Sequence, residues 1–127
     1  MSATRIFPPN YLDPVVLYDN PSTGYKDSVT LSDSLANYRE ITIDFHALGN
    51  LTSSTRVYNP DGKFVPLSTV SIGSDKKIYI NTKSVTLSGN SITTTKDSHG
   101  WVTGSAANGV VTGGDSVAIT RVVGWRK

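Results

Sequence analysis

The last stretch of the chain, residues 115–127, reads D-S-V-A-I-T-R-V-V-G-W-R-K. It is rich in β-branched and aromatic residues, and no proline interrupts it. Val117, Ile119, Val122, Val123 and Trp125 cannot all be left in water, since burying each aliphatic side chain is worth about 1.5–3 kcal/mol. The segment therefore reads as a strand that closes a sheet, with the preceding chain folded to receive it. Upstream, Ile41, Ile43 and Phe45 alternate with Glu40, Thr42, Asp44 and His46. That period predicts a strand with one buried face and one wet face.

Turn formers punctuate the rest. Asp19-Asn20-Pro21-Ser22-Thr23-Gly24, Asn59-Pro60-Asp61-Gly62, Gly73-Ser74-Asp75 and Gly89-Asn90 separate apolar-rich runs, and no helical period appears between them. Strands are expected at 15–18, 25–31, 39–46, 54–58, 63–72, 76–84, 85–88 and 91–95, followed by the closing strand. Pro60 at the second place and Gly62 at the fourth predict a type I turn, with 63–72 returning as the hairpin partner of 54–58. Pro66 lacks a ladder donor, which places it at an edge or a bulge. Ser32 is a candidate cap for a short 3₁₀ turn with Leu35 and Tyr38 on its inner face. Turns spaced by about 8–12 residues predict an all-β fold, an antiparallel β-sandwich or jelly-roll-like single domain. It spans residues 15–127. Residues 1–14 form an extended N-terminal arm, since Pro8, Pro9 and Pro14 forbid a helix there.

Composition supports this reading. Of 127 residues only 37% are apolar and 17% charged, and Ser, Thr, Asn and Gly fill the difference, as suits a turn-rich all-β domain. The absence of cysteine rules out a disulfide framework, thiolate metal sites and a cysteine nucleophile. The net charge is +2 with scattered lysines and arginines, so no nucleic-acid partner is expected. No apolar run is long enough for a membrane-spanning helix, and membrane insertion is not expected. Residues 1–5 lack the apolar core of a signal peptide, so work outside a cell would follow release by a route such as lysis.

Chemistry is sparse. His46 and His99 are far apart and form no metal-binding pair. His46 reads as an exposed strand histidine. Asp97, Ser98 and His99 could enter a triad only through space, and the chain has no G-x-S-x-G elbow. Glu40 and Asp44 share a wet strand face, where solvated charge is the plain reading, and most other carboxylates sit in turns. Phosphate-cradling glycine motifs are missing. No catalytic residue, metal or cofactor is expected, which leaves binding. Trp101, Tyr79 and Tyr58 are the candidate ligand-binding aromatics, with His99 and Asp97 beside Trp101. Flat rings stack on sugars, and neighbouring polar groups bond hydroxyls. Trp101 falls in residues 96–114, a Gly- and Ser-rich region without a period that reads as a long binding loop. Trp125, on the closing strand, reads as a core or subunit-interface residue.

Four segments in order carry a family resemblance: Val16-Leu17-Tyr18-Asp19-Asn20; Val29-Thr30-Leu31-Ser32-Asp33-Ser34-Leu35-Ala36-Asn37-Tyr38; Val57-Tyr58-Asn59-Pro60-Asp61-Gly62-Lys63; and Ile119-Thr120-Arg121-Val122-Val123-Gly124-Trp125-Arg126-Lys127. Together they resemble the C-terminal modules of tail-fibre and baseplate proteins from phages of Gram-positive bacteria. Those modules share a leading "LYD", an "LSES-A-NF" stretch and an ending close to "ITRVIGYK". The chain departs in Trp125, where tyrosine is usual, and in the extra Arg126. The Gly/Ser region before the last strand matches nothing in the family. The resemblance implies a virion component at the tail tip or baseplate, made in the host cytoplasm and assembled as a homotrimer with a β-sandwich head. Its partners would be other tail or baseplate proteins and a host cell-wall glycan, teichoic acid or another surface polysaccharide. The alternative is a structural tail piece without a ligand of its own. A small carbohydrate-active enzyme is the weaker third option.

Overall fold

The computed structural model describes residues 13–21, 28–47, 51–94, 99–104, 111–112 and 117–127. Ten strands run through them: β1 (Val15–Asp19), β2 (Ser28–Thr30), β3 (Tyr38–Ala47), β4 (Leu51–Tyr58), β5 (Phe64–Ile72), β6 (Ile78–Ser88), β7 (Ser91–Thr93), β8 (His99–Gly104), β9 (Val111–Thr112) and β10 (Val117–Arg126). The fold is an all-β antiparallel sandwich. The first sheet has the order β1-β10-β3-β4. The second holds the other six strands but is only four positions wide. β5 lies on one edge of β6, while β7 and β8 share the other edge, at 86–88 and 78–83 respectively. β2 then pairs with β7 and β9 with β8.

The closing segment forms β10, which inserts between β1 and β3 rather than lining an edge. A register shift between Ile119 and Arg121 leaves Thr120 as a bulge residue. The bulge switches side-chain parity. Val117, Ile119 and Val122 point inward and are buried, whereas Val123 and Trp125 move to the outer side. From the facing sheet, Val29, Leu67, Val85, Leu87 and Ile92 complete the core.

The motif segments converge at one end of the sandwich. Ser34, not Ser32, caps the 3₁₀ turn Leu35–Asn37, its hydroxyl accepting from the Ala36 N–H at 3.3 Å. Ser32 instead ties back to β1, its N–H donating to the Leu17 carbonyl at 2.9 Å. The Asp33 carboxylate accepts from the Ser34 N–H, the Asn37 amide and the Tyr38 hydroxyl at 2.8, 3.0 and 2.9 Å. These bonds favour the charged form and hold its pKa below the usual carboxylate value. Leu35 and Tyr38 are fully buried, as their spacing predicts.

The link from β4 to β5 is not a hairpin. Gly62 N–H donates to the Leu87 carbonyl and Leu87 N–H to the Lys63 carbonyl, both at 2.8 Å. These bonds pull the chain across to the second sheet, where β5 pairs with β6 instead of β4. The turn also sits one residue later than the proline suggests. Lys63 N–H donates to the Pro60 carbonyl at 3.1 Å, putting Gly62, with φ +83°, at the third place. Only glycine adopts that conformation without strain. Pro66 lies on β5, which pairs only with β6 among the described residues, so the edge expectation holds. Residues 51–53, expected as loop, begin β4, and residues 78–88 form one continuous strand. Within 96–114 the backbone builds β8 and β9 rather than one long loop. Residues 99–104 and 111–112 pair through their backbones there without leaving a hydrophobic period in the sequence.

Candidate functional site

Three of the sequence-derived candidates lie on the second sheet and one lies apart. Tyr79 stands on β6, opposite Thr103 of β8; Trp101 and His99 stand opposite Asn81 and Lys83. The Tyr79 hydroxyl donates to the Asp75 carboxylate, which raises the tyrosine pKa and lowers that of Asp75. The ring also closes over Gly73 at the β5–β6 turn, where an added Cβ would meet it at 2.6 Å. Tyr79 thus secures its own turn. Tyr58 ends β4 on the other sheet, 61% exposed. The candidates therefore do not form one cluster. Asp97 lies outside the described residues.

The outer face of the first sheet brings together groups that the sequence read singly. Register places Tyr58, Glu40 and Trp125 in one row across β4, β3 and β10. The two aromatics flank β3 about 10 Å apart, two strand spacings. Trp125 is half-buried and absent from the core cluster, which overturns the core half of the core-or-subunit-interface expectation. Gly124 explains this, because its Cα–H faces Tyr38 and Leu17 inside the sandwich and alternation then sends Trp125 outward. Glu40 is ion-paired with Arg56 at 3.5 Å and with Arg39 at 3.8 Å. Its Oε2 nevertheless is buried and accepts no hydrogen bond among the described residues. A hydrogen bond with Tyr58, backed by the Glu40 charge, raises the Arg56 pKa further.

Farther along β3 and β4, Asp44, Phe45, Thr52, Ser53, Ser54 and Thr120 line an open depression of about 420 Å³. The bulge shapes it: the Thr120 hydroxyl donates to the Asp44 carbonyl at 3.2 Å, and its own carbonyl accepts from the Asn20 N–H at 2.8 Å. The face therefore combines two aromatic rings, a carboxylate ion-paired with an exposed arginine and a row of hydroxyls, a set suited to polyhydroxylated ligands. Glu40 and Asp44 are four residues apart on one strand, about 13 Å between Cα atoms. Among the described residues no group of three or more potential ligands could hold a metal ion, and no helix is long and apolar enough to cross a membrane. His46 donates from Nδ1 to the Ala47 carbonyl at 2.9 Å.

The alternation of β3 already put Glu40 and Asp44 on one face. What it could not supply was their neighbours, because Tyr58, Arg56, Trp125 and Thr120 arrive through long-range pairing. The chain matches no protein-family model, and no curated protein matches it.

Proposed function

We propose that this chain is a host-adhesion module of a phage tail fibre or baseplate. It binds a cell-surface saccharide across the outer face of its first sheet. Two things support the reading: the ordered motifs that resemble tail-fibre modules, and the make-up of that face. The observation that carries it is the row that sets Tyr58 and Trp125 on either side of the Glu40–Arg56 ion pair, on the sheet that also carries the hydroxyl-lined depression. A pyranose ring would stack on either aromatic while its hydroxyls bond the exposed Arg56 guanidinium and the hydroxyls of the depression. In this reading the module is a homotrimer in the virion, made in the host cytoplasm, and its other partners are tail or baseplate proteins. Its role is adhesion, without catalysis or cofactor.

The structural alternative has its own observation. The motif residues Asp33, Tyr38, Asp61 and Gly124 all serve contacts within the fold, so the resemblance is carried by architecture. Pull-down on Gram-positive cell walls separates the readings. Tyr58→Ala and Arg56→Ala should each weaken retention roughly tenfold or more, as expected for loss of a stacked ring or a charge-assisted hydrogen bond. The fold should be unchanged. If Trp101→Ala abolishes retention and the first-sheet variants do not, the ligand lies at β8. If wild type is not retained on any wall yet binds another tail protein, the structural reading replaces this one.

A further inference from the structure

Half of the second sheet is inside out. Val85 and Leu87 fix the inward parity of β6, and no register shift in its pairing with β5 changes that parity. The same parity carries Lys83 and Asn81 inward, where they are 1% and 4% exposed, and across from them Thr69 is 8% exposed. The apolar residues are left outside: Val70 is 69% exposed, Ile72 76% and Ile78 47%. They are paired, Val70 with Ile80 and Ile72 with Ile78. An antiparallel sheet with one wet face normally places its polar residues outward.

This face also lacks charge. Every outward position of β5 from Phe64 to Ile72, and of β6 from Ile78 to Thr86, is apolar or carries a hydroxyl. The outer face of the first sheet, by contrast, carries Glu40, Asp44, His46, Arg56 and Arg121. A charge-depleted apolar centre is the compositional mark of a protein interface. Four strand positions of about 4.8 Å and a length near 30 Å give a face on the order of 600 Å². That reaches the lower end of the roughly 600–1,000 Å² that each partner gives to a specific interface. Edge pairing is not the mode, because Pro66 removes a donor from β5. Packing is face to face.

We propose that this outer face of the second sheet is buried against other copies of this chain. The inference takes the number of copies from the trimeric reading above and locates the surface independently of it. Neutral hydroxyl and β-branched groups can meet their own kind without opposing charges, which self-association requires and which a charged partner would not exploit.

Light scattering and sedimentation of the full chain test it. Wild type should be oligomeric at micromolar concentration. Val70→Asp should weaken association by roughly a hundredfold or more, because a charge buried in an apolar interface is strongly disfavoured. Circular dichroism and the melting transition of the dissociated variant should keep their native form. Ile72→Lys, at the most exposed position, gives a second variant should Val70→Asp not fold. Ser54→Asp on the first sheet should leave the mass unchanged. An oligomer that survives both face variants overturns the proposal and leaves the trimeric reading standing. A monomeric wild type overturns both, as does association only with a different tail protein. Wall retention reads the opposite face and is scored separately.

Discussion

Gly124→Ala probes how the closing strand is seated. The added Cβ would lie 2.6 Å from Tyr38 Cδ1, 3.0 Å from Cε1 and 3.1 Å from Leu17 Cδ1. Carbon atoms rest about 3.5–4.0 Å apart, so the ring must retreat by about 1 Å. It has little room, being fully buried with its hydroxyl bonded to Asp33 at 2.9 Å. Overpacking of this kind costs about 1–3 kcal/mol. Loss of glycine's freedom in the unfolded chain returns about 0.4–1 kcal/mol. The net expectation is a destabilisation of about 1–2 kcal/mol, or roughly 4–8 °C in melting temperature for a chain of this size. Thermal and urea unfolding measure it. In a Tyr38→Leu background the cost of the added methyl should fall to near zero, since the clashing ring is gone. A Gly124→Ala variant as stable as wild type, or more so, would refute the seating of β10 against Tyr38.

Leu35→Ala empties a fully buried position under the 3₁₀ turn and should cost about 2–5 kcal/mol in urea unfolding. Acid should destabilise the fold through Asp33 and Asp75. Both have folded pKa values below the ordinary 3.8, so their contribution is present above that value and disappears as pH falls through the folded pKa. Tyr38→Phe removes the largest cause of the Asp33 shift, so its stability should vary less with pH below about 4 than that of wild type. Asp61→Ala breaks the 2.9 Å bond from the Gly89 N–H and should lower stability by about 0.5–1.5 kcal/mol, without changing the far-UV spectrum.

The layered fold was legible because β3 carries a local period that burial follows and β10 a run of β-branched residues too apolar to stay in water. The 3₁₀ turn was legible from Leu35 and Tyr38, although its cap was assigned two residues early. Asp33 sits between those serines and takes the bonds that order the turn. The β4–β5 link was misread because a Pro-x-Gly turn says where the chain bends and not which sheet it enters. The Leu87 and Gly89 backbones decide that. β6 misleads most. Ile78 and Ile80 look like a buried face, yet the strand's parity is set downstream by Val85 and Leu87. The candidate site was half visible. Glu40 and Asp44 share a face by alternation, but only the register across β4 and β10 brings Tyr58 and Trp125 beside them. Trp125 left the core because the Thr120 bulge reversed its side, and a bulge has no signature in composition.

In the proposed reading the sandwich has two unlike outer faces, a polar aromatic one for glycan and an apolar one for its own copies. Because the chain has no cysteine, single-cysteine labelling reads both faces in one measurement. Ser54→Cys reports on the first sheet and Ser68→Cys on the second, both at exposed positions. With maleimide at micromolar protein, Ser68→Cys should react slowly and Ser54→Cys quickly, and added host-wall glycan should slow only Ser54→Cys. Equal rates at both sites, or protection of Ser68→Cys by glycan alone, would contradict the division of labour.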